Sequence, residues 1–330
     1  MKAESTAPGK VFLSGEYLAL DGSLATILTT KQRALVTIEK TQNSTNTLCS
    51  LPSNQTFAFN VNNKHKVEWV GDDPQELGLF LKWSILEMQI RPTNTRFTID
   101  TTDFYKENKK IGLGSSAAIS SALIYAMVNY FDIKYSDEMI LNSSLRVHNT
   151  KQNNLGSGLD VIAAHADSGL IECDIETLSK GKWTTLEWPS DLIIKGVITS
   201  KESKTASMIQ KYFNGQVQHK EFFEKLQIDV NQVLKELSLS WIDHDISSIL
   251  ELMEQYNILM QRLNEKYNLG IYSDEHQELA KLTNKLGLFY KPSGAGGGDL
   301  GLILTDDSIK LKQLLTQIRD KKYQTIDLRA

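Results

Sequence analysis

The run Lys110-Ile-Gly-Leu-Gly-Ser-Ser-Ala-Ala118 has the composition of a phosphate cradle. Gly112 and Gly114 allow close backbone approach to an anion. The first-turn N–H groups of a following helix would point at that anion, with the positive end of the helix dipole behind them. Ser115 and Ser116 add hydroxyls that either cap the helix or reach a phosphate oxygen or metal ion. Ala117, Ala118, Ile119, Ala122, Leu123, Ala126 and Met127 then give the helix an apolar side to bury.

Two better-known glycine motifs do not fit. A Walker A loop requires lysine directly after its last glycine, whereas Ser115 follows Gly114. Gly112, Gly114 and Ala117 satisfy the dinucleotide fingerprint, and Asp132 lies twenty residues beyond Gly112. That fingerprint, however, belongs in the tight turn of a βαβ unit. Here the nearest strand candidate, Arg96 to Asp100, is set apart by the polar run Thr101 to Lys110. The segment Tyr130 to Lys134 leads on to a second helix, with Ser136 as N-cap and Asp137 and Glu138 in its first turn.

Four further segments accompany the loop. Ala7-Pro-Gly-Lys-Val-Phe-Leu-Ser-Gly-Glu-Tyr17 places a lysine on a strand ahead of a tight turn. Gly156-Ser-Gly-Leu-Asp160 lies mid-chain, and Lys204-Thr-Ala-Ser207 follows. Lys291-Pro-Ser-Gly-Ala-Gly-Gly-Gly-Asp299 stands near the end. In this order and spacing the motifs resemble the GHMP small-molecule kinases, from Ala7 to Leu304. Within that family they are most similar to the branch that acts on 5-phosphomevalonate. Tyr17 stands where mevalonate and galactokinases usually carry histidine, and Gly156 to Asp160 replaces a proline-serine-glycine version. Asn153-Asn154-Leu155 and Asp167-Ser168-Gly169 depart from the pattern of that branch.

The resemblance implies transfer of phosphate from ATP, with Mg²⁺, to 5-phosphomevalonate. Such transfer is mainly positioning and charge neutralisation. The ATP phosphates would lie on Gly112, Leu113, Gly114, Ser115, Ser116 and Ala117, with Lys110 alongside. Ser116 and Asp160 are the candidate Mg²⁺ ligands. Lys10 would stabilise the transferring phosphoryl, with Asp160 orienting Lys10 or the metal. The acceptor would meet Lys10, Tyr17, Ser157, Gly158, Lys204, Ser207, Ser293, Gly294, Ala295 and Gly296. The 294–298 glycine run would present N–H groups to its anionic end. A phosphate acceptor is largely ionised at neutral pH, so the need for a general base is small. The implied fold is α+β in two lobes: a ribosomal S5 domain 2-like lobe over 1–190 and a ferredoxin-like lobe over 191–330, with the site in the cleft between them. A mevalonate or other small-molecule kinase, and a non-catalytic binding descendant, are the rival readings.

Each residue also has a plainer reading. Lys10 on a strand could simply extend into solvent, Lys110 could be a solvated charge, and Asp160 could cap the helix continuing through His165. Glu16 reads as structural, holding its turn through backbone amides. Tyr17 either touches the acceptor or packs. Ser293 reads as a binder, since no histidine partner is suggested. His148 and His165, on helices, read as core or surface residues, and the five tryptophans as packing the lobes.

The elements that must position these groups follow from periodicity. Val11 to Leu13, Ala25 to Leu28, Ala34 to Ile38, Thr56 to Phe59, Leu170 to Cys173 and Leu192 to Thr199 read as strands. Helices are expected over Pro74 to Glu87, Ser116 to Tyr130 and Ser136 to Thr150. Long amphipathic helices are expected after Thr205, notably Ile246 to Tyr267, ended by Asn268 and Gly270. The tail reads helix (Asp274 to Leu286), glycine loop, strand (Leu300 to Leu304), helix (Ser308 to Ile318) and strand (Tyr323 to Leu328). The 330 residues suit two lobes, and 41% hydrophobic and 23% charged residues suit a soluble globular chain. A net charge of −4 argues against nucleic-acid binding. Cys49 and Cys173 lie outside any metal-like spacing, and no apolar leader or membrane-length run is present. A cytoplasmic monomer or homodimer with a small-molecule partner, and neither nucleic-acid nor membrane partners, is the expectation.

Overall fold

A computed structural model describes residues 2–107, 109–151, 156–179, 181–201, 203 and 205–329, with the backbone alone for 151, 178 and 179. The chain divides into two compact units. The first comprises 1–9, 32–109 and 114–167, and the second comprises 10–31, 110–113 and 168–330.

In the first unit, Leu35 to Lys40 pairs antiparallel with the strand Thr95–Asp100. That strand runs parallel to Asn46–Leu51, in register from Thr47 opposite Arg96 to Leu51 opposite Asp100. Gln55–Val61 and Val67–Val70 extend the sheet by antiparallel steps. Alternation puts Val36 and Ile38 on the buried face, opposite Ile99 and Phe97 of the partner strand. Phe59 packs against Phe97 and Trp69, with ring centroids 5.9 and 5.5 Å away. The helix Ser115–Tyr130 is buried on nearly every side rather than on one. Its alanines and serines leave room for neighbours all around, including the helices Asp137–Lys151 and Leu159–Ala166. Ser136 caps the former as expected, its hydroxyl accepting from the Met139 amide at 3.3 Å.

In the second unit, four antiparallel strands run in the order Phe289–Pro292, Leu300–Thr305, Ile193–Ile198, Gln324–Asp327. The helices Asp274–Asn284 and Ser308–Asp320 bury Leu279, Leu311, Leu314 and Ile318 against Val197, Tyr290 and Ile303. The helix Ile246–Tyr267 has the expected bounds. Asp245 caps its start by accepting from Ser248, and Asn268 ends it in the left-handed region. Among the described residues no helix is long and apolar enough to cross a membrane.

The sequence missed some strands and misjudged others. Ala25 to Leu28 and Ala34 to Ile38 belong to one strand, Ala25–Lys40. The polar run Thr29 to Arg33 contains no glycine or proline to break it, and Thr29 and Thr30 suit extended backbone. The first strand starts at Lys2, far ahead of Val11. Asn46–Leu51, Val67–Val70 and Phe289–Pro292 are short strands whose own composition carries little periodic signal.

Candidate active site

Gly114 is the N-cap of the helix Ser115–Tyr130, in the left-handed region at φ 72°. Its carbonyl accepts from the Ala117 amide at 3.1 Å and the Ala118 amide at 3.4 Å, leaving the Ser115 and Ser116 amides at the open helix end. Neither serine hydroxyl caps the helix, so of the two roles open to them from sequence, capping is not used. The Ser116 Oγ is buried and, among the described residues, has no hydrogen-bond partner. A hydroxyl on the first turn in that condition fits a magnesium or phosphate oxygen partner. Gly112, at φ 72°, lies so close to Asp299 that an added Cβ would stand 2.4 Å from the aspartate Cβ. Lys110 is exposed.

In the same unit as Gly112, the Lys10 amide donates to the Leu113 carbonyl at 2.8 Å. The Lys10 ammonium stands 4.7 Å from the centre of the Phe12 ring, on the same side of the strand by its two-residue period. Behind them lies a buried ion pair. Lys291 donates to Glu16, with side-chain exposures of 4% and 6%. The Tyr256 hydroxyl donates to the other Glu16 oxygen at 2.8 Å and accepts from the Gly15 amide at 3.0 Å. Lys291 also reaches the Phe12 carbonyl at 3.3 Å. Burial pushes the Lys291 pKa down; the Glu16 carboxylate opposes this, and the nearby charge of Lys10 adds to it. The Glu16 carboxylate therefore holds its turn through Lys291 and Tyr256 rather than through backbone amides.

Tyr17 adopts φ 62° and ψ −59°, and the Leu18 amide donates across it to the Glu16 carbonyl at 2.7 Å. This is the rare, strained γ-turn, a conformation that costs on the order of 1–3 kcal/mol and persists where its surroundings fix it. The Tyr17 side chain is buried, and its hydroxyl donates to the Ala295 carbonyl at 2.6 Å. Ser293 Oγ donates to the Phe12 carbonyl at 3.2 Å. Gly294 and Gly296 take φ 69° and 73°, and a Cβ on Gly296 would meet Ile271 at 2.6 Å. Among the described residues, the amides of Gly294, Ala295, Gly296 and Gly298 donate to no other group. The loop thus turns carbonyls inward and keeps amides available, the polarity of an anion nest.

In the first unit, Gly158 at φ 79° is the N-cap of the helix Leu159–Ala166, and Ser157 Oγ accepts from the Leu159 amide at 3.4 Å. One Asp160 oxygen accepts from the Val161 amide at 3.0 Å; the other stands 3.4 Å from Nε2 of the fully buried His148. From sequence His148 reads as a core or surface residue, and only the helical register that turns it toward Asp160 reveals the pairing. Asp167, one of the departures from the family pattern, ends that helix at φ 46° and pairs its carboxylate with both Arg33 terminal nitrogens, at 2.8 and 2.6 Å. Ser207 is exposed on the first turn of the helix Thr205–Gln218. Lys204, and Asn153 to Leu155, lie outside the described residues.

Residues 96–167 match the model of the GHMP kinases N terminal domain. The chain is 25% identical to the phosphomevalonate kinase of Streptomyces sp. (strain CL190), over 91% of this chain and 89% of that one. It is 22% identical to the mevalonate kinase of Methanocaldococcus jannaschii, over 98% of this chain and 97% of that one. Its fold superposes with a TM-score of 0.77 on Streptococcus pneumoniae phosphomevalonate kinase in complex with phosphomevalonate and AMPPNP, covering 98% and 99% of the chains at 18% identity. The α+β fold is the two-lobed one of these kinases. Residues 96–167 thus carry the N-terminal domain of the GHMP kinases, and the chain is similar to kinases of that family along nearly its whole length.

Proposed function

We propose that this chain transfers the γ-phosphoryl group of ATP to 5-phosphomevalonate, giving 5-diphosphomevalonate and ADP. A phosphate oxygen of the acceptor bonds to the γ-phosphorus as the bond from that phosphorus to the β–γ bridging oxygen breaks. The observation that carries the acceptor choice is the 293–298 loop. Its carbonyls are held by Tyr17 and His276 while four amides remain available to an anionic group. The phosphomevalonate kinase relative of Streptomyces supports the same choice.

In this reading, residues 1–190 form the nucleotide and catalytic lobe and 191–330 carry the acceptor loop. Lys110, Gly112, Leu113 and the Gly114 to Ala117 amides bind the ATP phosphates at the helix N-terminus. Ser116 and Asp160 supply oxygens for Mg²⁺, which when bound neutralises charge on the phosphates. Lys10 stabilises the transferring phosphoryl, and its backbone bond to Leu113 fixes it relative to the loop. Asp160 orients Lys10 or the metal, and His148 steadies its carboxylate. Tyr17, Ser157, Gly158, Lys204, Ser207 and Ser293 to Gly296 surround the acceptor. The compartment is cytoplasmic, and the protein works as a monomer or homodimer. The test is turnover with a panel of acceptors. Activity on mevalonate but not on 5-phosphomevalonate would move the chain to the mevalonate kinases, a reading its Methanocaldococcus relative supports.

A further inference from the structure

We propose that His276 is a positioning residue that anchors the far end of the 293–298 glycine loop, with Tyr290 and Gly301 as its supports. The proposal rests on the reading of that loop as the cradle for the acceptor's anionic end. His276 lies on the helix Asp274–Asn284 and is completely buried. Its Nε2 stands 3.1 Å from the Gly298 carbonyl oxygen and its Nδ1 stands 2.7 Å from the Tyr290 hydroxyl. A carbonyl oxygen only accepts, so Nε2 carries the proton and donates. The bare Nδ1 then accepts from Tyr290, which sets a single tautomer. Burial pushes the imidazole pKa down to about 4, so the ring stays neutral at physiological pH.

Room for this arrangement comes from a missing side chain. A Cβ on Gly301 would lie 2.0 Å from the Tyr290 hydroxyl oxygen. Glycine at 301 therefore lets Tyr290 stand across the neighbouring strand and reach His276.

The Gly298–Asp299 peptide is fixed at both ends. His276 holds its carbonyl, and its N–H donates to the Lys201 carbonyl at 2.7 Å. Because C=O and N–H point opposite ways in a trans peptide, this plane cannot rotate without breaking both bonds. Tyr17 holds the Ala295–Gly296 plane by its carbonyl end alone, which points the Gly296 N–H away from the tyrosine. The Gly297 amide donates to the Ile271 carbonyl at 2.7 Å, a third attachment. Four glycines lie in the run 294–298, and a chain so permissive keeps one conformation only if its peptide planes are held from outside. His276 touches none of the reacting atoms; its effect is on acceptor binding.

The experiment compares His276→Leu, His276→Gln and Tyr290→Phe. Leucine removes the donor and leaves the Gly298 carbonyl buried and unpaired. Glutamine can return an N–H near the Nε2 position, and Tyr290→Phe removes the bond that steadies the ring at Nδ1. His276→Leu should raise the KM for 5-phosphomevalonate by about tenfold while the ATP KM changes less than about twofold, the difference one buried hydrogen bond makes. His276→Gln should recover most of that loss, and Tyr290→Phe should raise the acceptor KM by about threefold. Equal rises in both KM values, or glutamine no better than leucine, overturn the proposal. If the leucine variant does not fold, the glutamine and phenylalanine variants decide alone. An acceptor KM unmoved by Tyr290→Phe, or an ATP KM moved as much as it, counts against the anchor.

The functional reading fails separately. Wild-type enzyme that prefers mevalonate refutes the acceptor assignment, and the same KM comparison is then made with mevalonate. Wild-type enzyme inactive on both refutes both the phosphomevalonate and the mevalonate readings. In that case ¹⁵N spectra of His276 decide the anchor: a proton on Nε2 and a bare Nδ1, kept in Tyr290→Phe because the Gly298 carbonyl still accepts, support it. A ring protonated on Nδ1, or one averaged between the two nitrogens in the unaltered protein, overturns it.

Discussion

Replacing Glu16 with glutamine should expose how strongly the buried pair fixes the turn behind Lys10. The substitution keeps shape but leaves the Lys291 ammonium, 4% exposed, without its counter-charge. Breaking a buried pair by removing one partner typically costs about 3–5 kcal/mol. The escape route is deprotonation of Lys291. Neutralising a lysine of ordinary pKa at pH 7 costs about 5 kcal/mol at 1.36 kcal/mol per unit, so the loss cannot much exceed that. With an unfolding entropy scaled to 330 residues, a 3–5 kcal/mol loss lowers Tm by about 4–7 °C in a cooperative transition. The sign of the pH dependence also follows. Burial lowers the folded-state pKa of Lys291, and without Glu16 nothing opposes that shift. The folded variant then binds fewer protons than the unfolded chain, so its deficit should shrink as pH rises toward 10. Chemical denaturation of wild type, Glu16→Gln, Lys291→Met and the double variant at pH 7 and pH 9 measures this. The double variant, with no unpaired charge, should recover much of the single-variant loss. A loss below about 1 kcal/mol with no pH dependence refutes the reasoning, as does a double variant weaker than both singles.

Other expectations follow from the same geometry. Lys10→Met should lower kcat by roughly 10²-fold, the range for one preorganised charge, with smaller KM changes; a loss confined to KM would make Lys10 a binding residue. Gly114→Val forces a β-branched residue to φ 72° at the helix N-cap, so a folded variant should bind ATP more weakly in calorimetry, and unchanged affinity would remove the loop from the nucleotide site. The His276 imidazole titrates near 6.5 unfolded and about 4 folded, so its contribution is present above pH 6.5. About 3 kcal/mol should be lost as pH falls from 6.5 to 4. His276→Gln should lack that part of the acid loss in denaturant titrations, and identical acid profiles would contradict it.

Local chemistry made the 112–116 loop legible as a turn into a helix: two glycines and two serines before an apolar run admit few other structures, and the left-handed Gly114 stands at the helix start. The Asp160 helix and the 293–298 loop were readable for the same reason. Groups joined across long sequence separations were not. Glu16 meets Lys291 from 275 positions away, and nothing near either residue announces a buried pair. His276 is hidden in an amphipathic helix, where its type alone cannot distinguish packing from a bond to Gly298. His148 and Asp160 are only twelve positions apart, yet their meeting depends on how two helices face each other. The continuous strand Ala25–Lys40 was obscured by its polar middle, because periodicity reports burial and not extension.

The central claim is tested most directly by steady-state turnover of the unaltered protein with Mg²⁺-ATP and a choice of 5-phosphomevalonate or mevalonate, following ADP release and product mass. The account predicts 5-diphosphomevalonate, with kcat/KM for 5-phosphomevalonate at least about a hundredfold above that for mevalonate, because its phosphate brings about two negative charges beyond the carboxylate that both acceptors carry. Equal or better turnover of mevalonate, or no ADP release with either acceptor, would contradict it.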